Sequence, residues 1–196
     1  MKTQIRPLFT LFALLVLITG VLYPLTVTGL AQLIFPAKAN GSLIKVNDQL
    51  LGSELIGQNF TGTAYFWGRP SATSTNPYNA YDQKSLTASS GSNLGPLSQT
   101  LVDIVQSRVD GLRSVDPLKT SLIPVDLVTA SASGLDPNIS VAAAFYQIPR
   151  VAQARGLDEI KVIELVDQYT EKRKFGLFGE PRVNVLSLNL ALDGIK

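Results

Sequence analysis

The sequence predicts an α+β fold: a single N-terminal transmembrane helix followed by one soluble domain of mixed helices and strands. Three features carry that prediction. No residue between Arg6 and Lys38 is charged. Apolar residues recur at helical spacing in three later segments. Short runs rich in aromatic residues, valine and leucine are bounded by turn formers. A chain of 196 residues has room for one ordinary domain plus such an appendage.

On this reading residues 1–7 form a short N-terminal segment, 8–35 the membrane helix and 36–196 the soluble domain. Leu8 to Val27, "LFTLFALLVLITGVLYPLTV", is apolar apart from three threonines, a glycine, a proline and a tyrosine. Twenty helical residues rise about 30 Å, the hydrocarbon thickness of a bilayer. The apolar region of a signal peptide runs only about 7 to 15 residues, so length favours a retained anchor over cleavage near "AKA", Ala37 to Ala39. Pro24 sits late in the span, where a kink is tolerated if a neighbouring helix supports the freed carbonyl. Thr19, Gly20, Thr26 and Gly29 are small residues that let another helix approach, which makes them expected partner contacts. Lys2, Arg6 and the amino terminus precede the span and Lys38 and Lys45 follow it. The positive-inside bias therefore favours a cytoplasmic N-terminus by a small margin, with the domain outside.

In the soluble part, Thr63 to Trp67, "TAYFW", reads as a short strand, and "GRPSATSTNPYNAYD" after it as a solvated loop carrying Tyr78 and Tyr81. Leu97, Leu101, Ile104, Val105, Val109 and Leu112 predict an amphipathic helix, with Pro96 in its first turn and Asn93 or Gly95 near the cap. Its polar face mixes Asp103, Arg108, Asp110 and Arg113, an ordinary solvated face. A second helix runs from Val141 to Arg155, capped by Ser140, stopped at Gly156 and bent by the internal Pro149. A third runs from Glu159 to about Thr170, capped by Asp158, and buries Val162, Ile163, Val166 and Tyr169. "RVNVLSLNLALD", Arg182 to Asp193, reads as the clearest strand. Its apolar parity switches between Val185 and Leu186, which predicts a β-bulge or burial on both faces, with Asn184, Ser187 and Asn189 partly exposed.

Composition narrows the chemistry. The chain has no Cys and no His, which removes disulfides, thiol catalysis, the usual general base and the commonest metal ligand. No metal site and no catalytic residue is expected. The net charge of +2, and a third helix without a basic exposed side, argue against nucleic acid. No GxxxxGK[ST] phosphate loop occurs. The loop "VTASASGLDPNIS", Val128 to Ser140, is the segment most open to a functional reading. Ser131 and Ser133 lie where an exposed nucleophile could sit, but without His their base would have to be a lysine. Asp126 and Asp136 bracket the loop, and Asp136 before Pro137 is better explained by an Asx turn. Gln147 and Arg150 share a helix face, and Arg150 could pair with a phosphate or with a carboxylate of a partner subunit.

"LIPVDLVTASASGLDPNIS", followed by "AAFYQIPRVAQARGL" and "VNVLSLNLALD", closely resembles the C subunit of the bacterial potassium-transporting P-type ATPase, the Kdp complex. "YFWGRPSA", "ASSGSNLGP" and the N-terminal span are similar to the family's other blocks, in family order. One departure is Val141, where the family often has proline at the first helical position. The resemblance implies a non-catalytic inner-membrane subunit beside three others: a P-type ATPase subunit that hydrolyses ATP, a channel-like subunit that selects potassium, and a small single-span subunit. It also implies a catalytic chaperone that raises the ATPase subunit's affinity for ATP, so that ATP enters only through the complex and potassium is the transported ion. That description would make Ser131, Ser133 and Gly134 in the loop, together with Gln147, the nucleotide or partner contacts. A domain outside the membrane could not touch ATP. It would instead cap or gate the potassium entrance.

Overall fold

The computed structural model of the chain describes residues 2–72, 77–81 and 89–194. It divides into two compact units, Met1–Ser53 and Glu54–Lys196.

In the first unit, helix α1 (Lys2–Leu17) runs through a π turn (Ile18–Leu22) into helix α2 (Tyr23–Ile34). The continuous helical span Gln4–Ile34, with Arg6 as its one charged residue, is 31 residues, about 46 Å at 1.5 Å per residue, and so exceeds a 30 Å hydrocarbon core. The π turn lies directly before Pro24, whose missing N–H leaves a carbonyl of the preceding turn without its usual donor; widening that turn accommodates the ring. Thr19 and Thr26 turn their hydroxyls back onto the carbonyls of Leu15 and Leu22, each at 2.7 Å. After a four-residue turn, α3 (Pro36–Ala39), strands β1 (Leu43–Val46) and β2 (Gln49–Ser53) form an antiparallel hairpin. Its two-residue loop, Asn47 and Asp48, has φ of 51° and 61°, the pair of positive values a tight hairpin turn requires.

In the second unit, helix α4 (Gln99–Val115), a 3-10 turn (Val125–Leu127), strand β3 (Asn138–Ser140), helix α5 (Val141–Arg155) and helix α6 (Glu159–Gln168) are followed by strands β4 (Thr170–Glu171) and β5 (Arg182–Asn184) and helix α7 (Val185–Asp193). The strands form one antiparallel sheet in the order β3-β5-β4. Helices α5, α6 and α7 pack on one core in which Ala143, Val151, Val162, Val166, Val183, Leu188 and Leu192 are fully buried.

Helices α5 and α6 have the caps and stop expected from the sequence: Ser140 Oγ accepts from Ala143 N–H, Asp158 from Ile160 N–H, and α5 ends at Gly156. Asp126 reinforces the first cap, accepting from Ser140 N–H at 2.7 Å and from its hydroxyl at 3.0 Å. Ser140→Ala is expected to cost about 1–2 kcal/mol, and Asp126→Ala a similar amount. Because the two groups bond each other, the double variant should lose less than the sum, measured by denaturant unfolding of the detergent-solubilised chain.

Four expectations are corrected. Arg182–Asp193 is a strand only through Asn184; the parity switch at Val185 and Leu186 is the entry into α7 rather than a bulge. On that helix Val185, Leu188, Asn189 and Leu192 share the inner face at spacings of three and four, so Asn184 and Asn189 are buried rather than exposed. Thr63–Trp67 is not a strand: it opens in a turn, with Tyr65 N–H donating to Gly62 O at 3.2 Å, and it has no strand partner. Helix α4 begins at Gln99, with Ser98 rather than Asn93 or Gly95 at the cap position, because Ser98 N–H closes a turn onto Gly95 O at 3.0 Å; Leu97 precedes the helix and is 99% exposed. In the segment read as a solvated loop, Pro70, Asn79 and Ala80 are buried and Tyr78 is half-buried, whereas Tyr81 is exposed; Thr73–Asn76 and Asp82 lie outside the described residues.

Candidate functional site

Three buried polar side chains of the second unit, Gln147, Arg150 and Asn189, converge on the segment Thr63–Trp67. Asn189 of α7 accepts from Phe66 N–H at 2.9 Å and donates to Phe66 C=O at 3.0 Å. Gln147 of α5 does the same for Trp67, at 2.8 and 3.1 Å. Two side-chain amides thus take the place of the neighbouring strands that the sequence pattern anticipated. Arginines from α5 complete the set: Arg150 donates to Thr63 O and Tyr65 O, and Arg155 to Ala64 O. Every carbonyl from Thr63 to Trp67 accepts from a side chain, which satisfies backbone groups no sheet reaches.

Gln147 is 1% exposed and its amide is fully used, since Oε1 also accepts from Arg150 at 2.7 Å and Nε2 also donates to Ala143 O. Arg150 lies with its guanidinium 4.0 Å above the Trp67 ring, and Tyr78 packs on that ring at 5.6 Å. Burial lowers Arg150 to about 10, opposed by Tyr78 and Asp116, so it stays a cation at neutral pH. Burial pushes Tyr78 up to about 12, opposed by the Arg150 cation. A phenol whose folded pKa is raised contributes stability that is complete below its unfolded value near 10 and lost as pH climbs through 12. Tyr78→Phe keeps the ring contact and should remove that part of the alkaline loss, seen as a flatter denaturation midpoint between pH 10 and 12.

The loop Val128–Ser140 is equally occupied by internal bonds. Ser131 is 3% exposed and its Oγ accepts from Gly134 N–H at 2.9 Å. With its amide oriented to satisfy both ends, Asn79 accepts the Ser131 hydroxyl at 2.9 Å and donates to Gly134 O and Pro70 O. Ser133 Oγ accepts from Leu135 N–H. Asp136 forms the Asx turn with Asn138 N–H at 3.0 Å and an ion pair with Arg69 at 3.3 Å; Arg69 also donates to Ala130 O. Gly57 is wedged against the loop, where a Cβ would lie 2.5 Å from Asn79 O and 2.9 Å from Asp136 O.

The structure therefore joins Ser131, Ser133 and Gly134 in one hydrogen-bonded turn and places Gln147 and Arg150 in a second cluster around Trp67. The N-terminus of α5, where backbone N–H groups would suit a phosphate, already faces the Asp126 carboxylate through Ser140. Two of the clefts among the described residues of this unit bear on these candidates. One of about 350 Å³ is lined by Trp67, Pro70, Tyr78, Arg108, Leu112 and Leu127, and one of about 480 Å³ by Glu54, Asn138, Tyr169, Glu171, Arg182 and Asn184 among others; neither has Ser131, Ser133, Gly134 or Gln147 in its lining. Thr19, Gly20, Thr26 and Gly29 all lie exposed along the apolar helix, with open space around Gly29. Asn79, Asp126, Arg155 and Asn189 do structural work that the sequence reading missed. For Asn189 the missed signal was the helical spacing of Val185, Leu188 and Leu192.

One long apolar helix followed by this internally bonded unit defines a single-span, membrane-anchored α+β protein. A family model described as KdpC, K+-transporting ATPase, c chain, matches residues 5–194. Similar proteins carry the name Potassium-transporting ATPase KdpC subunit. That of Polaromonas naphthalenivorans is 59% identical over 196 residues, covering 100% of this chain and 97% of its own. That of Polynucleobacter asymbioticus is 57% identical over 194 residues, covering 99% and 100%. That of Dechloromonas aromatica is 56% identical over 195 residues, covering 100% and 99%. The chain belongs to the KdpC family, subunits of the K+-transporting ATPase complex.

Proposed function

We propose that the chain is a non-catalytic accessory subunit of an ATP-driven, high-affinity potassium importer, supporting its assembly and acting as a catalytic chaperone. In this reading it promotes ATP binding by the P-type ATPase subunit through contact with partners and holds no nucleotide itself. The observation that carries this is the saturation of the Ser131 and Gln147 side chains by internal hydrogen bonds; a nucleotide at Gln147 would have to displace the Trp67 backbone. Its partners are the P-type ATPase subunit, the channel-like potassium-translocating subunit and the small single-span subunit. Thr19, Gly20, Thr26 and Gly29 serve as helix contacts in the inner membrane. The N-terminus is cytoplasmic and the soluble domain extracytoplasmic, in line with the charges flanking the span. That side of the membrane favours a second reading, in which the domain caps or gates the potassium entrance without touching ATP.

The test compares the complex with and without this chain. The chaperone reading expects the KM for ATP to rise several-fold without the chain, while the purified chain gives no saturable signal with a fluorescent ATP analogue. Saturable binding that is lost in Ser131→Ala would overturn contact through partners alone. An unchanged KM for ATP with a shifted KM for potassium would favour the entrance-capping reading.

A further inference from the structure

Between β4 and β5 the chain forms a hairpin, "KRKFGLFGE", whose tip presents large apolar side chains to solvent. Lys174 and Phe178 exchange both backbone hydrogen bonds at 2.9 Å, and Leu177 N–H closes a turn onto Lys174 O. Phe175 and Gly176 both have positive φ, 54° and 73°. A bulky residue rarely adopts that conformation, and here it holds an aromatic ring at the apex. Phe175 is 93% exposed, Leu177 75% and Phe178 67%. Three such residues within four positions form a patch, unlike scattered surface leucines.

The charges at the same tip name the occupant. Residues 171–182 hold Lys172, Arg173, Lys174 and Arg182 against Glu171 and Glu180, an excess of two that equals the net charge of the whole chain, so the remainder is balanced. Arg173 pairs with Glu180 at 2.7 Å and Arg182 with Glu171 at 3.0 Å. Lys172 and Lys174 pair with no carboxylate among the described residues. Exposed aromatic and leucine side chains ringed by free lysines suit the boundary between acyl chains and anionic headgroups, where apolar burial and attraction to phosphate add. The chain's own membrane span holds the domain at high local concentration near such a surface.

We propose that the Lys172–Glu180 hairpin is a second membrane contact, inserting Phe175, Leu177 and Phe178 into the interface of an anionic phospholipid bilayer.

The native chain lacks cysteine, so single variants Leu177→Cys and Phe178→Cys can each carry one nitroxide label, with Ala154→Cys on the exposed side of α5 as control. The full chain is reconstituted in vesicles of phosphatidylglycerol and phosphatidylethanolamine, and collision of each label with oxygen is compared with that of a water-soluble nickel chelate. At 177 and 178 the oxygen-to-nickel ratio is expected to exceed the control at least threefold, and to fall to the control value when Lys172→Glu and Lys174→Glu are added. Ratios equal to the control in the unaltered hairpin overturn the proposal. So does a label that loses access to both quenchers only when the whole complex is assembled, which would make the hairpin a docking site for another subunit.

Discussion

Replacing Gln147 with leucine is expected to destabilise the soluble unit by about 2–4 kcal/mol. Leucine is close in size, so the cost does not come from an empty cavity. It comes from Trp67, whose N–H and C=O lose their only partners among the bonds that hold this segment, and from Arg150, which loses an acceptor at 2.7 Å. Each buried backbone group left unpaired costs about 1–3 kcal/mol. Gln147→Glu makes a sharper comparison. Glutamate still accepts from Trp67 N–H and from the Arg150 cation but cannot donate to Trp67 O, so its loss should be smaller than that of leucine; with Arg150 stabilising the carboxylate, the loss should grow only as pH falls below the unfolded glutamate value of about 4.3. Urea denaturation of the solubilised chain measures both. A nucleotide role for Gln147 alone predicts instead that Gln147→Leu leaves stability unchanged while altering ATP kinetics.

The second large effect is expected at Gly57. Its amide donates to Leu135 O at 2.9 Å, and an added Cβ would meet the backbone oxygens of Asn79 and Asp136 well inside contact distance. Both obstacles are backbone, so neither can swing aside as a flexible side chain would. Gly57→Ala should therefore push the Asn79 segment away from the Ser131 turn and cost about 1–3 kcal/mol, the range for overpacked interiors. Because Ser131 is held through Asn79, the same variant should expose the turn between Ala130 and Asp136 to faster amide hydrogen exchange, a local readout that global unfolding does not give. Unchanged exchange in this turn would contradict the coupling.

Helices α5 and α6 were legible because their ends are written locally: Ser140 and Asp158 cap, Gly156 stops, and apolar residues recur at three and four between them. The membrane helix was legible from composition alone. The C-terminal segment misled because Val183 and Val185 alternate as a strand does, while the following leucines, spaced by two, satisfy a strand pattern and a short buried helix alike. Thr63–Trp67 was read as a strand but opens in a turn and lacks strand neighbours, since periodicity cannot reveal that two amides and two arginines from helices supply its hydrogen bonds. The same limit applied to the candidate site. Ser131, Gln147 and Arg150 stood out as polar residues among apolar or small ones, and that contrast marks a specialised position. Whether the polar group faces a ligand or the protein's own backbone depends on which segments fold over it, here Asn79, Trp67 and Gly57, all more than fifty residues earlier in the chain.

The proposal that this subunit acts on ATP use without holding ATP depends most directly on the side of the membrane its domain occupies. Ser90 is exposed, and Ser90→Cys would introduce the chain's only cysteine. In spheroplasts expressing the whole complex, a membrane-impermeant maleimide is predicted to label this chain before lysis, to the same extent as after it. Labelling only after lysis would place the domain beside the nucleotide and contradict the account.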